Sequence, residues 1–264
     1  MHSPMNALPV PTHQADYQTR QKATGISGKT AVIIGGTSGI GRAVANRFIA
    51  AGGAVILGGR SQETLDAELA RIAAAGGTAS GHVVDMAARE SVAAFFARIP
   101  RLDYLFAPGA AYQVASIHSD DHEAVESPFR SKFWGQYHAV REAAPKISAD
   151  GAIVLMSGAA GARPIRGASA YAACNAAIEG LGRSLALDLA PVRVNTVSPG
   201  TIDSDLWQRR PAELRAHAFD SYSRSTALGR VGGVDEVADA VLFLFGNGYT
   251  TGTTLFVDGG YVLP

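Results

Sequence analysis

Residues 31–41 read AVIIGGTSGIG, an apolar run that passes directly into a glycine-rich turn, and a helical pattern begins near Arg42. A short run of Val and Ile bounded by glycine is typical of a buried strand. Glycines let the backbone turn tightly and approach a ligand, and the amides that open the next helix can receive a pyrophosphate. We therefore predict a dinucleotide site at this turn, with a purely structural turn as the alternative.

Short apolar runs and helical patterns alternate along the rest of the chain. The predicted strands are residues 31–34, 54–57, 81–84, 104–107, 152–156, 193–197 and 254–257, and helices are predicted at 41–51 and 63–75. Strands of Val, Ile and Leu that are buried on both faces and separated by helices form parallel sheets. The sequence therefore predicts an α/β fold, a three-layer doubly wound parallel sheet of the Rossmann type, in a single domain over residues 27–264.

The composition indicates the class of partner. The chain has 264 residues, 47% of them hydrophobic, and its 23 Lys and Arg balance its 23 Asp and Glu. This balance leaves neither a basic field for nucleic acid nor a polybasic patch for a membrane, and no apolar run reaches the roughly 18 residues of a membrane span. We expect a small-molecule partner, no nucleic acid and no membrane.

The single cysteine and the first residues bear on location. Cys174 is the only cysteine, which excludes an internal disulfide and a multi-cysteine metal site and fits a reducing, cytoplasmic location. We predict no metal site. Residues 1–26 carry three prolines, several polar residues and no long apolar segment. We expect them to form a disordered extension rather than a signal peptide.

The glycine spacing, one glycine, three residues, a second glycine, one residue and a third glycine, resembles the short-chain dehydrogenase/reductase family. Further marks of that family follow in chain order: Asp85, Tyr171, the segment 195–200 (NTVSPG), 251–252 (TG) and 258–260 (DGG). The chain is identified as a divergent member on these residues. The resemblance implies nucleotide contacts by Gly35, Thr37, Ser38, Gly39, Ile40, Gly41, Arg60, Ser61, Asp85, Met86, Pro108, Gly109, Pro199, Gly200, Ile202 and Ser204.

The end of the second predicted strand indicates which dinucleotide binds. Residues 57–61 read LGGRS, with no acidic residue to accept a ribose 2′-hydroxyl as an NAD site prefers. Arg60 could instead hold a 2′-phosphate through two hydrogen bonds. We predict NADP(H) as the cofactor. The alternative is that Arg60 is a solvated surface arginine.

The catalytic positions depart from the family pattern. The family has a lysine four residues after the tyrosine, and here Tyr171 is followed by Asn175. Lowering the pKa of a phenol from about 10 to about 7 requires roughly 4 kcal/mol, and neutral Asn175 cannot supply it. The family also has an asparagine where this chain has Lys132. Its serine, thirteen residues before the tyrosine, is replaced by Gly158, with Ser157 one place earlier.

We interpret Lys132 and Asn175 as an exchanged pair that restores an ammonium beside Tyr171. The alternatives are a solvent-facing Lys132, a Tyr171 that only fills the core, and a Ser157 hydroxyl that is structural rather than directed at the substrate. Cys174 is interpreted as a packing residue.

These observations predict an NADP(H)-dependent oxidoreductase that moves hydride between the nicotinamide and a carbonyl or alcohol carbon, with catalytic Tyr171, Ser157, Lys132 and Asn175. Two alternatives stay open: a non-redox enzyme of the same fold (dehydratase, isomerase or cyclase), and a nucleotide-sensing protein without turnover. The resemblance also implies a substrate lid at about 205–226 and a homodimer or homotetramer. His118 and His122 either border the substrate or lie in a solvated loop.

Overall fold

The computed structural model describes residues 25–263. Most of the predicted N-terminal extension therefore lies outside the described residues. Gly25 and Ile26 are described, and the expectation of disorder is wrong for both. The Ile26 side chain is buried in the core, and the Gly25 carbonyl accepts a hydrogen bond from the Tyr104 hydroxyl at 2.7 Å. Burial of apolar area and a satisfied carbonyl tie these residues to the domain.

The strands form a seven-stranded parallel sheet in the order β3-β2-β1-β4-β5-β6-β9, and β7 and β8 pair separately. Their bounds are β1 Thr30–Ile34, β2 Ala54–Gly59, β3 Ala79–Val83, β4 Leu102–Phe106, β5 Ile147–Met156, β6 Arg193–Pro199, β7 Ile202–Asp203, β8 Gly232–Gly233 and β9 Thr254–Val257. The predicted seven strands and their parallel arrangement are confirmed. The largest difference is β5, which begins at Ile147 because Ile147 pairs with Leu102 before a shift in register.

Helices cover both faces of the sheet. Their bounds are α1 Gly39–Ala50, α2 Gln62–Ala74, α3 Arg89–Ala97, α4 His122–Ser127, α5 Trp134–Ala143, α6 Ser169–Asp188, α7 Asp205–Gln208, α8 Ala212–Ser223 and α9 Val234–Gly246. A π-helical turn, Pro128–Phe133, joins α4 to α5, and a 3₁₀ turn, Ala159–Gly161, precedes α6.

The hydrophobic core lies on both faces of the sheet. Successive strand residues point to opposite faces, so Ile33 packs with Phe48 of α1 and Phe245 of α9, whereas Val32 packs with Phe96 of α3 and Ile178 of α6. The result is a helix layer, a sheet and a second helix layer, which confirms the predicted three-layer fold.

The strand order places the loops that carry the predicted site. The chain moves outward from β1 to β3 and then returns to β4 on the other side of β1. The connections after β1 and β4 therefore lead to opposite sides of the sheet, an arrangement that forms a crevice at the carboxyl edge. The glycine-rich turn follows β1, Pro108 follows β4, Gly158 follows β5 and Gly200 follows β6.

Candidate active site

The glycine-rich turn is a tightly packed backbone cradle. A β-carbon at Gly41 would lie 2.1 Å from the Gly35 carbonyl oxygen, and one at Gly35 would lie 2.8 Å from the Gly109 α-carbon. Gly39 has a φ of +51° and meets only the Ser204 β-carbon, at 3.7 Å. Gly35 and Gly41 therefore form the packed floor of the turn, and Gly39 borders open space where a ligand can approach the backbone. Pro108 precedes Gly109 against the same floor.

The N-terminus of α1 already holds an anion from the chain itself. The Gly39 amide donates to the Asp205 carboxylate at 2.9 Å, and the Arg42 guanidinium lies 3.6 Å from the same oxygen. Ser38, the residue that caps α1, makes no side-chain hydrogen bond to it, and Ile40 turns into the core. Amides at a helix N-terminus attract negative charge. The donor set at this end thus fits a pyrophosphate.

The end of β2 presents Arg60 to solvent. Its side chain is exposed, directly after the last residue of the strand. The Ser61 hydroxyl accepts from the Thr64 amide at 3.3 Å and so caps α2. Thr37 lies beneath this strand end, since a β-carbon at Gly59 would meet its methyl group at 3.1 Å. The arrangement leaves Arg60 free to meet a phosphate beside the glycine-rich turn.

The predicted contacts after β3 are fixed by local interactions. Asp85 is exposed, and its carboxylate accepts from the Ala87 amide at 2.9 Å. Met86 is buried against α5, where a β-carbon at Gly135 would lie 2.9 Å from the Met86 β-carbon. These contacts fix the loop at the edge of the crevice.

The segment after β6 forms the opposite wall. Pro199 ends the strand, and the Gly200 amide donates to the Val257 carbonyl at 3.0 Å. Ile202 is buried in β7, and Ser204 is the residue before α7. A β-carbon at Gly200 would lie 1.8 Å from the Tyr222 hydroxyl, so α8 closes directly over this turn.

The predicted lid combines contacts between its own aromatic side chains with a few contacts to the rest of the chain, such as the stack of Tyr222 on Tyr261 at 4.8 Å. The Trp207 and Phe219 rings meet edge to face at 5.4 Å, and the Arg210 guanidinium lies 4.6 Å from the Trp207 ring centre. None of the residues of α8 is fully buried. A segment with little buried apolar area opens at low cost in free energy.

Lys132 is buried in the middle of the site. Its side chain is 3% exposed, and its ammonium donates to the Asn175 amide oxygen at 2.5 Å and to the Ser157 backbone oxygen at 2.8 Å. The ion pairs within the described residues do not include Lys132. The alternative of a solvent-facing Lys132 is therefore wrong. Lys132 lies on the π-helical turn, a distortion that is frequent at functional sites.

Tyr171 and Asn175 share one face of α6, four residues apart. The Asn175 side-chain nitrogen donates to the Tyr171 backbone oxygen at 2.9 Å, and the Lys132 ammonium lies 5.2 Å from the centre of the Tyr171 ring. Burial raises the pKa of Tyr171, but the Lys132 ammonium and hydrogen bonds from Tyr112 and Asn175 outweigh it, so the net direction of its pKa is downward.

Tyr112 is the site residue that the sequence analysis missed. Its hydroxyl donates to the Tyr171 hydroxyl at 3.3 Å, and the two rings stack at 5.1 Å with an angle of 20°. The Tyr171 hydroxyl therefore faces another hydroxyl in a half-buried site, which argues against a tyrosine that only fills the core. The one sequence signal for Tyr112 is its place in the loop after β4.

The prediction for the Ser157 side chain is wrong. Its hydroxyl donates to the Glu179 carboxylate at 3.0 Å, and Ser198 donates to the same oxygen at 3.3 Å. Because neighbouring residues of an extended chain point to opposite sides, position 158 faces the site instead. A β-carbon at Gly158 would lie 3.3 Å from the Tyr171 hydroxyl oxygen. Ser157 contributes to the site through its backbone oxygen, which binds Lys132.

Other candidate groups lie apart from this cluster or serve its packing. The Cys174 thiol is fully buried and donates to the Pro128 carbonyl at 3.3 Å, and burial raises its pKa. His118 and His122 are exposed. Within residues 25–263, no three His, Cys, Asp or Glu side chains are grouped so that they could hold a metal ion. In the same part of the chain, no helix has the length and apolar character of a membrane span.

Comparison with known proteins identifies the family of the chain. The family model described as Enoyl-(Acyl carrier protein) reductase matches residues 34–262. The cis-4-hydroxycyclohexanecarboxylate dehydrogenase of Sinomonas cyclohexanicum is 33% identical over 244 residues, which is 88% of this chain and 96% of that protein.

Two solved structures are similar over almost their whole length. A short-chain dehydrogenase/reductase from Serratia marcescens is 27% identical, with a TM-score of 0.82 over 90% of this chain and 99% of its own. A small-chain dehydrogenase in complex with NADPH is also 27% identical, with a TM-score of 0.75 over 90% of this chain and 100% of its own. The protein therefore belongs to the short-chain dehydrogenase/reductase family of oxidoreductases.

Proposed function

We propose that the protein is an NADP(H)-dependent oxidoreductase in which Tyr171 exchanges a proton with the oxygen of a carbonyl or alcohol substrate. A bound NADP(H) supplies or accepts the hydride. The observation that carries the proposal is the buried Lys132 ammonium, which lies between Asn175 and the Tyr171 ring. A positive charge at this place favours the phenolate, as an acid/base tyrosine requires near neutral pH.

Each polar group of the cluster has a separate task. Tyr171 gives its proton to a carbonyl oxygen during reduction and takes it back during alcohol oxidation. Lys132 stabilises the phenolate that forms in between. Asn175 and the Ser157 backbone oxygen orient Lys132, since both accept hydrogen bonds from its ammonium. Buried ammonium groups require such partners.

The nucleotide would lie along the crevice at the carboxyl edge of the sheet. The α1 amide of Gly39 and the Arg42 guanidinium, which now share the Asp205 carboxylate, would receive the pyrophosphate. Arg60 would pair with the 2′-phosphate, which is the basis for choosing NADP(H) over NAD(H). A related structure that contains NADPH supports this choice.

We further propose a homodimer or homotetramer that uses α5 and α6. Trp134 on α5 is 48% exposed and stacks with His138 at 6.0 Å, and Leu187 on α6 is also exposed. Exposed aromatic and aliphatic side chains mark candidate protein interfaces. Sedimentation equilibrium of the full chain gives its mass in solution, and a monomer would contradict this part of the proposal.

The variant Lys132→Met tests the function, because it keeps the apolar stem and removes the charge. We expect kcat for carbonyl reduction to fall about 100-fold, within the range for loss of acid/base assistance, with unchanged NADPH affinity. Removing the ammonium raises the pKa of Tyr171. Reduction needs the protonated phenol and slows as the pH rises through this pKa, so the alkaline limb should move to higher pH.

The measurement is NADPH oxidation over a panel of ketones and aldehydes, with NADP⁺ reduction over the matching alcohols. Lys146→Met is the matched control, because Lys146 also donates to backbone carbonyls, those of Phe96 and Ile99, but lies outside the site. NADPH binding without turnover of any substrate would contradict the oxidoreductase and favour the binding protein or the non-redox enzyme.

A further inference from the structure

Gly158 places a position without a side chain directly beside the Tyr171 hydroxyl. A β-carbon at Gly158 would lie 3.3 Å from that hydroxyl oxygen and 3.2 Å from the Asn175 amide oxygen. A hydroxyl carried from this position would therefore face a substrate oxygen that approaches Tyr171. The Ser157 hydroxyl does not supply a donor at this position, since it donates to Glu179 on the other side of the chain.

Tyr112 brings a second hydroxyl to the same place. Its oxygen lies 3.3 Å from the Tyr171 hydroxyl oxygen, and the two half-buried rings are stacked. Two donors at this separation can both reach one acceptor oxygen at about 2.7 to 2.8 Å, the usual length of an O–H···O hydrogen bond.

The loop holds Tyr112 from both sides. The Ser131 hydroxyl, which is buried, donates to the Ala111 carbonyl at 2.7 Å. The Gln113 amide donates to the Ser127 hydroxyl at 2.8 Å. Both neighbours of Tyr112 are thus tied to α4 and the π-helical turn, the element that also carries Lys132. A donor fixed in advance needs little reorganisation when charge develops on the substrate.

We propose that Tyr112 is a catalytic hydrogen-bond donor that, together with Tyr171, holds the substrate carbonyl oxygen in place of the hydroxyl missing at Gly158. This inference rests on the proposed function. The hydride comes from NADPH and forms the new bond to the carbonyl carbon, whose π-electrons move to the oxygen. The oxygen then takes its proton from Tyr171, while Tyr112 keeps its own proton.

The pKa values of Tyr112 and Tyr171 are shifted in opposite directions, as their two roles require. Burial raises the pKa of Tyr112 well above its usual range, and the nearby Tyr171 raises it further, against a smaller lowering by Arg210 of the lid. The net direction for the pKa of Tyr171 is downward. The other titratable neighbours are Lys132 and Cys174. One phenol is therefore suited to exchange its proton and the other to retain it.

The variant Tyr112→Phe keeps the stacked ring and removes the hydroxyl. We expect kcat for carbonyl reduction to fall about 100-fold, the lower end of what loss of one oxyanion-hole donor costs, with unchanged NADPH affinity. Loss of the hydrogen bond to Tyr171 should also raise the pKa of that residue. A titration of [¹³C]tyrosine-labelled protein by NMR, with Tyr171→Phe to assign the signal, measures this shift without any substrate.

The second variant tests whether Tyr112 replaces the missing serine. Gly158 has an extended φ of −173°, which any residue adopts, so Gly158→Ser can restore a hydroxyl once Asn175 and Tyr171 move by a few tenths of an ångström to admit the β-carbon. We expect Gly158→Ser with Tyr112→Phe to recover about tenfold of the lost kcat, if each hydroxyl acts as an oxyanion donor. Tyr137→Phe is the control, a half-buried tyrosine on α5 that packs against Trp134.

The outcomes separate the two proposals. Turnover by the parent protein with unchanged kcat in Tyr112→Phe would overturn the role of Tyr112 and leave the proposed function intact. A lowered kcat without recovery in the double variant, together with an unshifted Tyr171 titration, would overturn the proposal that the Tyr112 hydroxyl takes the place of the hydroxyl missing at Gly158. No turnover of any substrate by the parent protein would overturn the proposed function and the catalytic role of Tyr112 together.

Discussion

The proposed nucleotide cradle (the glycine-rich turn after β1) and the proposed catalytic cluster (Tyr112, Lys132, Tyr171 and Asn175) both lie at the carboxyl edge of the sheet, yet they are built from different atoms. Backbone atoms make the cradle, where a β-carbon at Gly41 would lie 2.1 Å from a carbonyl oxygen. Side-chain ends make the cluster, where Lys132 reaches Asn175 from a different helix. The ammonium of the cluster can come from any neighbouring element whose side chain reaches the site. The space above the turn, in contrast, exists only because glycine has no side chain.

Variants of Lys132 and Asn175 test whether the ammonium can come from either position, and we expect them to have the largest effect. We expect Lys132→Asn to lower kcat about 100-fold, within the range for acid/base assistance, because it removes the ammonium from the cluster. Adding Asn175→Lys to that variant returns an ammonium from α6 and should recover much of the activity. Steady-state kinetics of both variants, and of Asn175→Lys alone, measure the effect.

Asn175→Lys alone places two ammonium groups together without a carboxylate and should lower the thermal stability. Equal activities of Lys132→Asn and the double variant, with both proteins folded by circular dichroism, would show that the origin of the ammonium matters. The cluster would then, like the cradle, require each residue type at one particular position of the chain.

The cradle itself can be broken at Gly39. A valine there meets a φ of +51° and would fill the space above the turn. The free variant can relax out of this region, so that regaining the turn on binding costs about 1 to 3 kcal/mol, roughly 5- to 150-fold in nucleotide affinity, and steric overlap with the nucleotide adds to this loss. Calorimetry measures the loss. Gly76→Val is the matched control, because Gly76 also has a positive φ, of +76°, with no neighbour within 4 Å.

If Gly39→Val and Gly76→Val lose stability equally and bind NADPH as tightly as the parent protein, the turn is structural and the cradle is misassigned.

Arg60 tests the side-chain part of nucleotide recognition, with the smallest expected effect. Charge-assisted hydrogen bonds contribute about 1.5 to 3 kcal/mol, so Arg60→Ala should reduce the preference for NADP(H) over NAD(H) by roughly tenfold or more. Paired titrations with both nucleotides measure the ratio, and the exposed Arg98→Ala is the control. Tighter binding of NAD(H) by the parent protein would contradict the NADP(H) proposal.

The sequence predicted the features that repeat along the chain. Runs such as 31–34 and 193–197 gave the strands within a few residues, because buried parallel strands require continuous apolar side chains. The sequence also suggested that Lys132 and Asn175 lie together, as they do, since both positions lie at fixed spacings from a glycine and a tyrosine; their exchange of roles stays a prediction.

Single side-chain directions were not predictable in this way. Ser157 was assigned to the site although the chain direction turns its hydroxyl to Glu179, because one residue of offset in an extended segment reverses the face. Tyr112 belongs to no pattern, and its position depends on the bonds of its two neighbours: the Gln113 amide donates to the Ser127 hydroxyl, and the Ser131 hydroxyl donates to the Ala111 carbonyl.

If the pyrophosphate binds at the Gly39 amide as proposed, the carboxylate of Asp205 makes nucleotide binding an exchange between two anions. The Gly39 amide is already bonded to it, and Arg42 lies close by. A pyrophosphate must displace an acceptor that is tethered to the chain and therefore present at a high effective concentration. The affinity measured for the nucleotide would therefore reflect the difference in binding free energy between the pyrophosphate and the Asp205 carboxylate. Asp205 is the first residue of the predicted lid, so on this proposal the arrival of the nucleotide also removes one of the contacts that hold the lid to α1.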